Sequence, residues 1–209
     1  TLTLASTGAS QMRFKNDSGS YGSPVSYSTS HSHTLANTQG LRTVTVEFTD
    51  AAGNTSTASD TITLDSAPAK VANVTSSTAN GSYNAADVIS IQVVFNETVN
   101  VTGTPQLTLE TGSSDAVVNY ASGTGSTTLT FTYTISAGHT SSDLDYKATN
   151  SLALNSGSIN DLAGNASLLT LQSPGAAGSL GANKAIIVDT TATTSPSIDI
   201  DSGATYTTS

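Results

Sequence analysis

The sequence predicts an all-β protein built as a string of sandwich domains, and three observations carry that expectation. Ser and Thr make up 69 of the 209 residues, yet Val, Ile and Thr fall in alternating runs. That is the pattern of half-buried strands rather than of a charge-rich disordered chain. Next, the turn Asp50-Ala51-Ala52-Gly53-Asn54 recurs as Asp161-Leu162-Ala163-Gly164-Asn165, each copy after one alternating strand and before another. Finally, the second strand ends each time at an aspartate and small residues, Asp65-Ser66-Ala67-Pro68 and Asp189-Thr190-Thr191-Ala192.

Residues 1–66 read as one all-β unit. Thr1-Leu2-Thr3-Leu4 alternates from its first residue, and Met12-Arg13-Phe14-Lys15 is a second short strand before the turn-prone Asn16-Asp17-Ser18-Gly19. A Ser/Tyr-rich stretch from Gly22 to Thr34 alternates weakly. Thr43-Val44-Thr45-Val46-Glu47-Phe48 alternates cleanly, and after the Asp50 turn Thr61-Ile62-Thr63-Leu64 closes the unit. A seven-stranded sandwich takes ~100 residues, so this unit is expected to lack its first strand.

Residues 67–189 read as a longer unit. Val71 to Val74 is a candidate first strand, and a Gly/Asn/Ala loop runs from there to Asp87. Val88-Ile89-Ser90-Ile91-Gln92-Val93-Val94-Phe95 is the strongest strand signal in the chain. Strands are expected at Leu107 to Leu109, Val117 to Tyr120 and Leu129 to Ile135, separated by Gly/Ser/Thr turns. Ser142-Asp143-Leu144-Asp145-Tyr146 suits a short helical turn. After the second repeated turn come candidate strands at Leu168 to Leu171 and Ala185 to Val188, flanking a loop of small residues.

Residues 190–209 read as a linker followed by a donor strand, Ser197-Ile198-Asp199-Ile200-Asp201. The turn after it, Gly203-Ala204-Thr205-Tyr206, is much like Gly81-Ser82-Tyr83-Asn84. Thr1-Leu2-Thr3-Leu4 looks like the strand that should come next, so joining Ser209 to Thr1 makes one uninterrupted domain. The tail is thus expected to complete the first domain of another copy, either a further repeat of one long chain or a separate subunit. A chain that opens at Thr1 without an initiator Met is expected to be a mature form or an excerpt.

Composition excludes several classes. Net charge is −9, with 15 acidic against 6 basic residues, so nucleic acid is not an expected partner. The absence of cysteine removes disulfides, zinc–thiolate sites and thiol nucleophiles. No apolar run approaches the ~20 residues of a membrane span. Gly-x-Ser-x-Gly, His-Glu-x-x-His and phosphate-loop spacings are missing. His31-Ser32-His33 offers two imidazoles without a nearby carboxylate, and Asp143 and Asp145 form a carboxylate pair without an aromatic cleft. An enzyme is not expected.

The phrases Val44-Thr45-Val46-Glu47-Phe48-Thr49-Asp50-Ala51-Ala52-Gly53-Asn54 and Ile62-Thr63-Leu64-Asp65-Ser66-Ala67-Pro68 resemble bacterial immunoglobulin-like repeats of giant secreted adhesins and biofilm proteins. Asn80-Gly81-Ser82-Tyr83-Asn84, Phe95-Asn96-Glu97, Pro105-Gln106-Leu107-Thr108-Leu109-Glu110-Thr111-Gly112 and Gly178-Ser179-Leu180-Gly181-Ala182-Asn183-Lys184 resemble a longer repeat type of the same proteins. The resemblance spans nearly the whole chain. It implies tandem immunoglobulin-like β-sandwiches at the cell surface, acting mainly as spacers. Thr190-Thr191-Ala192-Thr193 departs from the proline that the family commonly places after the alanine.

In such a sandwich the repeated turn joins the last two strands at the pole facing the preceding domain. Asp161, Asp65 and Glu97, in a loop after the strong strand, are then expected to meet, a set of oxygens suited to calcium. By the same logic Asp50 faces the preceding linker, the counterpart of Asp189, and Asp87 lies at the opposite pole near Asp189. The competing reading makes Asp50 and Asp161 turn formers that hydrogen-bond their own backbone, with Gly53 and Gly164 supplying positive φ. Asp199 and Asp201 suit a solvent-facing strand edge better than a metal site. Sequons such as Asn73-Val74-Thr75, Asn96-Glu97-Thr98 and Asn165-Ala166-Ser167 recur, as chance provides in a Ser/Thr-rich chain.

The expected function is mechanical: an extracellular filament subunit or adhesin stalk repeat, assembled head to tail by strand complementation. Ser197, Ile198, Asp199, Ile200 and Asp201 donate; the edge Thr1, Leu2, Thr3 and Leu4 accepts; Ca2+ stiffens the junctions. The alternative is a carbohydrate- or surface-ligand-binding module, which an exposed aromatic platform would reveal.

Overall fold

The computed structural model describes residues 1–194. The chain divides into two compact units, Thr1–Ala67 and Pro68–Ser209. Among the described residues regular structure is almost wholly β-strand, with one four-residue helix. The expected donor strand, Ser197 to Asp201, lies outside the described residues.

The first unit contains β1 (Leu2–Thr3), β2 (Ala9–Asn16), β3 (Val25–Ser26), β4 (Ser30–His31), β5 (Gly40–Asp50) and β6 (Thr55–Leu64). They form a four-stranded sheet, β3-β2-β5-β6, and a two-stranded sheet, β1-β4, with every pairing antiparallel. Period-2 alternation puts Val44, Val46 and Phe48 of β5 on one face beside Met12 and Phe14 of β2. These five form the buried core, and Leu2, Leu4, Tyr27 and Leu35 pack against it. Full burial of such a side chain contributes roughly 1.5–3 kcal/mol.

The repeated turn closes the β5–β6 hairpin. Gly53 sits at φ 90°, in the left-handed region that glycine enters without a Cβ clash. The hairpin register runs from Gly40↔Leu64 to Thr49↔Thr55. Opposed residues share a face, so Ser56, Ala58 and Asp60 point the same way as buried Phe48, Val46 and Val44. Yet β6 is exposed at every residue but its last.

The second unit opens with β7 (Val71–Ser76), β8 (Gly81–Tyr83), β9 (Val88–Thr102), β10 (Gln106–Glu110), β11 (Ala116–Ser122) and β12 (Ser126–Thr134). It continues with β13 (Thr140–Ser141), β14 (Asp145–Tyr146), β15 (Leu152–Ala153), β16 (Ser158–Asp161), α1 (Leu180–Asn183) and β17 (Ile186–Asp189). The main sheet runs β14-β10-β11-β12-β9-β16, with β15 also on β10 and β7 on β9. A second sheet, β13-β17-β8, contains the parallel pair β8–β17. Ile89, Ile91, Val93 and Phe95 project from β9 into a core shared with Leu109, Phe131, Leu180, Ile186 and Val188. Two sheets around one core fit a β-sandwich.

Four expectations are corrected here. Leu168 to Leu171 is not a strand: Leu168 N–H donates to Ala69 O (2.7 Å) and Leu171 N–H to Thr149 O (2.8 Å). Its amides are thus shared between different neighbours and no ladder forms. As a result the second repeated turn does not join the last two strands, and β17 follows only after the loop and α1. Ser142 to Tyr146 is not helical. Asp145 and Tyr146 are β14, paired with Glu110 and Leu109, and burial of Leu144, Asp145 and Tyr146 in succession leaves no helical face. Asn96-Glu97 is not a loop but part of β9, at an irregularity where the register against β12 jumps from Val94↔Thr128 to Val99↔Ser126. The expected loop before Asp87 contains β8, a strand whose ladder comes from a residue about a hundred positions away.

Candidate functional site

Two features of the first unit combine into a groove. One is β1, which pairs with β4 along one edge (Leu2↔His31, Thr3↔Ser30). The other is the core-facing side of β6. Between them lie two cavities of about 340 Å3 and 310 Å3 that share Thr1, Leu2, Val44 and Asp60 as lining. Leu4, Val46 and Ala58 line one of them, and Leu35 and Ile62 the other. Ile62 is 52% exposed, an apolar side chain on the face that β2 and β5 bury. Thr1 to Leu4, expected as an acceptor edge, form the opposite wall. The groove itself is invisible in sequence, because it depends on which strands stack over which.

The repeated turns share one hydrogen-bond geometry. Asp161 Oδ1 accepts from Asn165 N–H (2.8 Å) and Oδ2 from the Asn165 side-chain amide (2.8 Å). Asp50 Oδ1 accepts from the N–H groups of Asn54 and Ala52 (both 2.9 Å), and its Oδ2 from the Asn54 amide (2.8 Å). Burial pushes the Asp161 carboxyl up, but hydrogen bonds from the Asn165 side chain and the Asn165, Ala163 and Gly164 backbone leave it below the ordinary value. The Asp50 carboxyl is lowered chiefly by the Asn54 side chain and then the Asn54 backbone. Donors preorganised around the anion favour its charged form. In this respect both aspartates are turn formers.

Asp161, at 2% exposure, also stands beside Glu97, with carboxylate oxygens of the two within 4.8 Å of one another. Both belong to the second unit. Asp161 holds the end of β16, and β16 pairs with the far half of β9 (Asp161↔Val99), so the irregularity at Asn96-Glu97 brings Glu97 alongside. Asp65 ends the first unit, where its Oδ1 accepts from Gln39 Nε2 (3.2 Å) and Ala67 N–H (3.1 Å). Asp87 Oδ2 accepts from Asn84 N–H (2.8 Å) and Asp189 Oδ1 from Thr191 N–H (2.8 Å). Among the described residues, Asp50, Asp87 and Asp189 belong to no group of three metal-ligating side chains.

The remaining chemistry-bearing residues have structural partners. His31 stacks on Phe14 with ring centroids 4.4 Å apart, and His33 Nε2 meets Asn16 Oδ1 at 2.8 Å. Burial, followed by the charge of His31, lowers His33 below the ordinary imidazole value. Asp145, 8% exposed, accepts from the N–H groups of Tyr146 (2.8 Å) and Gly175 (2.9 Å). Burial raises the Asp143 carboxyl, and the neighbouring Asp145 charge adds to the rise. A depression of about 500 Å3 on β11 and β12 includes Asn119, Tyr120 and His139. Its Tyr120 ring packs edge-on against Phe131, and the hydroxyl accepts from Thr124 N–H (2.8 Å), so no flat aromatic platform faces outward there.

Among the described residues no helix is long and apolar enough to cross a membrane. Comparison of the chain with family models, with curated proteins and with solved structures finds no match.

Proposed function

We propose that this chain is a structural repeat of immunoglobulin-like β-sandwich domains, working outside the cell as a filament subunit or adhesin stalk and joined head to tail by strand complementation. The observation that carries the reading is the groove between β1 and β6, where core-facing residues of β6 stand uncovered beside a strand edge. An added strand there would satisfy backbone donors and acceptors and bury apolar surface in one step. The Ile198/Ile200 alternation of the tail supplies an apolar face of the required period.

Calcium is proposed as a stabilising ion at the Glu97–Asp161 pair of the second unit. Two close carboxylates repel one another, and a divalent cation removes that cost.

The test is electron microscopy together with sedimentation velocity on the purified protein, in calcium and in chelator. Filaments with an axial repeat of one two-unit length are expected. Monomers at all concentrations in both conditions would overturn self-assembly, and filaments indifferent to chelator would overturn the role of calcium.

A further inference from the structure

The outer face of the second unit's main sheet carries a depression of about 500 Å3 over β11 and β12. Strand alternation makes it. Ala116, Val118, Phe131 and Tyr133 turn into the core. Val117, Asn119, Thr132 and Thr134 are left on the solvent side of the same two strands. Asn119 and Thr132 are opposed in the ladder, so their side chains stand next to one another. The loop after β12 adds Ser136 and His139 to the lining.

The polar groups there are oriented by their neighbours. The Gln106 side-chain amide donates to Asn119 Oδ1 (2.9 Å), which leaves the two Asn119 amide hydrogens as donors. The Ser136 backbone N–H, which can only donate, meets His139 Nδ1 at 3.4 Å, and Tyr133 Oη lies 2.9 Å from the same nitrogen. The proton of the neutral imidazole therefore sits on Nε2. Burial pushes the Tyr133 phenol up to about 12, so it stays a neutral donor that holds this tautomer. Among the described residues no protein group takes up the Asn119 amide hydrogens, the Thr132 and Thr134 hydroxyls or His139 Nε2.

The lining contains no Asp, Glu, Lys or Arg, in a chain whose net charge is −9. A charged ligand would shed water here with no opposite charge to meet it, which is costly. An extended peptide would need a free strand edge, and β11 and β12 each have a ladder partner on both sides. What the depression offers is fixed donors and two-way hydroxyls around exposed aliphatic carbon, Val117 being 55% exposed. A ring with C–H faces and hydroxyls that both give and accept is its chemical complement.

We propose that this depression binds a neutral sugar unit, a hexose or N-acetylhexosamine. Asn119 and His139 Nε2 donate to sugar oxygens, Thr132 and Thr134 exchange hydrogen bonds with sugar hydroxyls, and Val117 lies under the ring. Specificity comes from hydrogen bonds, since no aromatic ring lies flat there. The site belongs wholly to the second unit and needs neither the first unit's groove nor assembly.

Saturation-transfer difference NMR on the full-length protein tests this, because it reads sugar protons whether the protein is single or assembled. The probes are maltose, cellobiose, lactose and N,N′-diacetylchitobiose, with glycerol and glucuronate as controls. Saturable transfer to at least one disaccharide is expected. Asn119→Ala and Thr132→Val, both at exposed positions, should each weaken the titrated affinity about fivefold. Ser82→Ala, exposed on β8 of the other sheet, should leave it unchanged, and circular dichroism melts should match the parent for all three. No transfer to any of the disaccharides overturns the proposal. So does transfer that both lining variants leave intact, or transfer of equal strength to glycerol or glucuronate.

Discussion

Val44 and Asp60 are opposed residues of the β5–β6 hairpin, and they point to one face of one sheet. Val44 is 8% exposed, while Asp60 lies open to solvent. The core therefore stops between two adjacent strands. A sheet face that is half covered ends either at a true edge or at a docking surface, and the apolar Ile62 farther along β6 points to the second.

That boundary gives the first expected outcome. Ala58→Glu puts a charge into the groove at a residue exposed in the unassembled chain. Its folding stability should change by no more than about 0.5 kcal/mol. The concentration needed for assembly should rise at least about tenfold, which corresponds to about 1.4 kcal/mol. Sedimentation across a concentration series reads the second quantity and urea unfolding the first.

The two cores differ in extent, so core damage should be local. Phe131, fully buried in the second unit, touches Tyr120 edge-on. Phe131→Ala should cost about 3–5 kcal/mol through lost transfer energy and the cavity left behind. Urea unfolding should show the second unit's transition moved and that of the first unit unmoved.

Alkaline pH should act on the second unit. Burial pushes the Tyr133 phenol up to about 12, and burial together with the Asp145 charge pushes Tyr146 up to about 12. A group whose folded value is raised contributes stability that is complete below its unfolded value, near 10. That stability is lost as pH rises through the folded value. Tyr133 and Tyr146 should titrate late by ultraviolet absorbance, and the second unit should lose stability between about pH 10 and 12.

Acid should act through Asp161. Its folded value lies below the ordinary 3.8, so its contribution is complete above that value and is lost as pH falls through the folded one. Thermal melts from about pH 5 to pH 2 should show the second unit weakening. Asp161→Asn should flatten that dependence, because the mutant has no carboxylate to protonate.

Calcium should stabilise the second unit in step with the logarithm of ligand excess, by about 2.7 kcal/mol at a hundred times the dissociation constant, and so raise its melting temperature. Glu97→Gln keeps the shape and removes one charge, so it should abolish most of the calcium-dependent shift seen by calorimetry. A shift that survives both Glu97→Gln and Asp161→Asn would place the ion elsewhere.

Local chemistry was legible in the sequence where neighbours along the chain decide it. The alternation of Val44, Val46 and Phe48 named a core face. Asp50-to-Asn54 and Asp161-to-Asn165 named two turns, because an aspartate hydrogen-bonds its own loop and glycine accepts positive φ. The same repetition misled at Leu168 to Leu171, where the amides found partners in other segments. The local pattern at Ser142 to Tyr146 suggested a helical turn, but β10 offered Asp145 and Tyr146 a ladder.

What the sequence by itself determined was an all-β chain, its alternating faces, its repeated turns and the acidic residues near their ends. Tertiary structure alone decided that Glu97 reaches Asp161 from an irregularity within β9 and not from a loop, that β8 lies parallel to β17, and that β6 is bare beside β1. The physical reason is separation along the chain. Alternation and turn chemistry act over a few residues, whereas strand neighbours are chosen by burial and backbone pairing among segments a hundred residues apart.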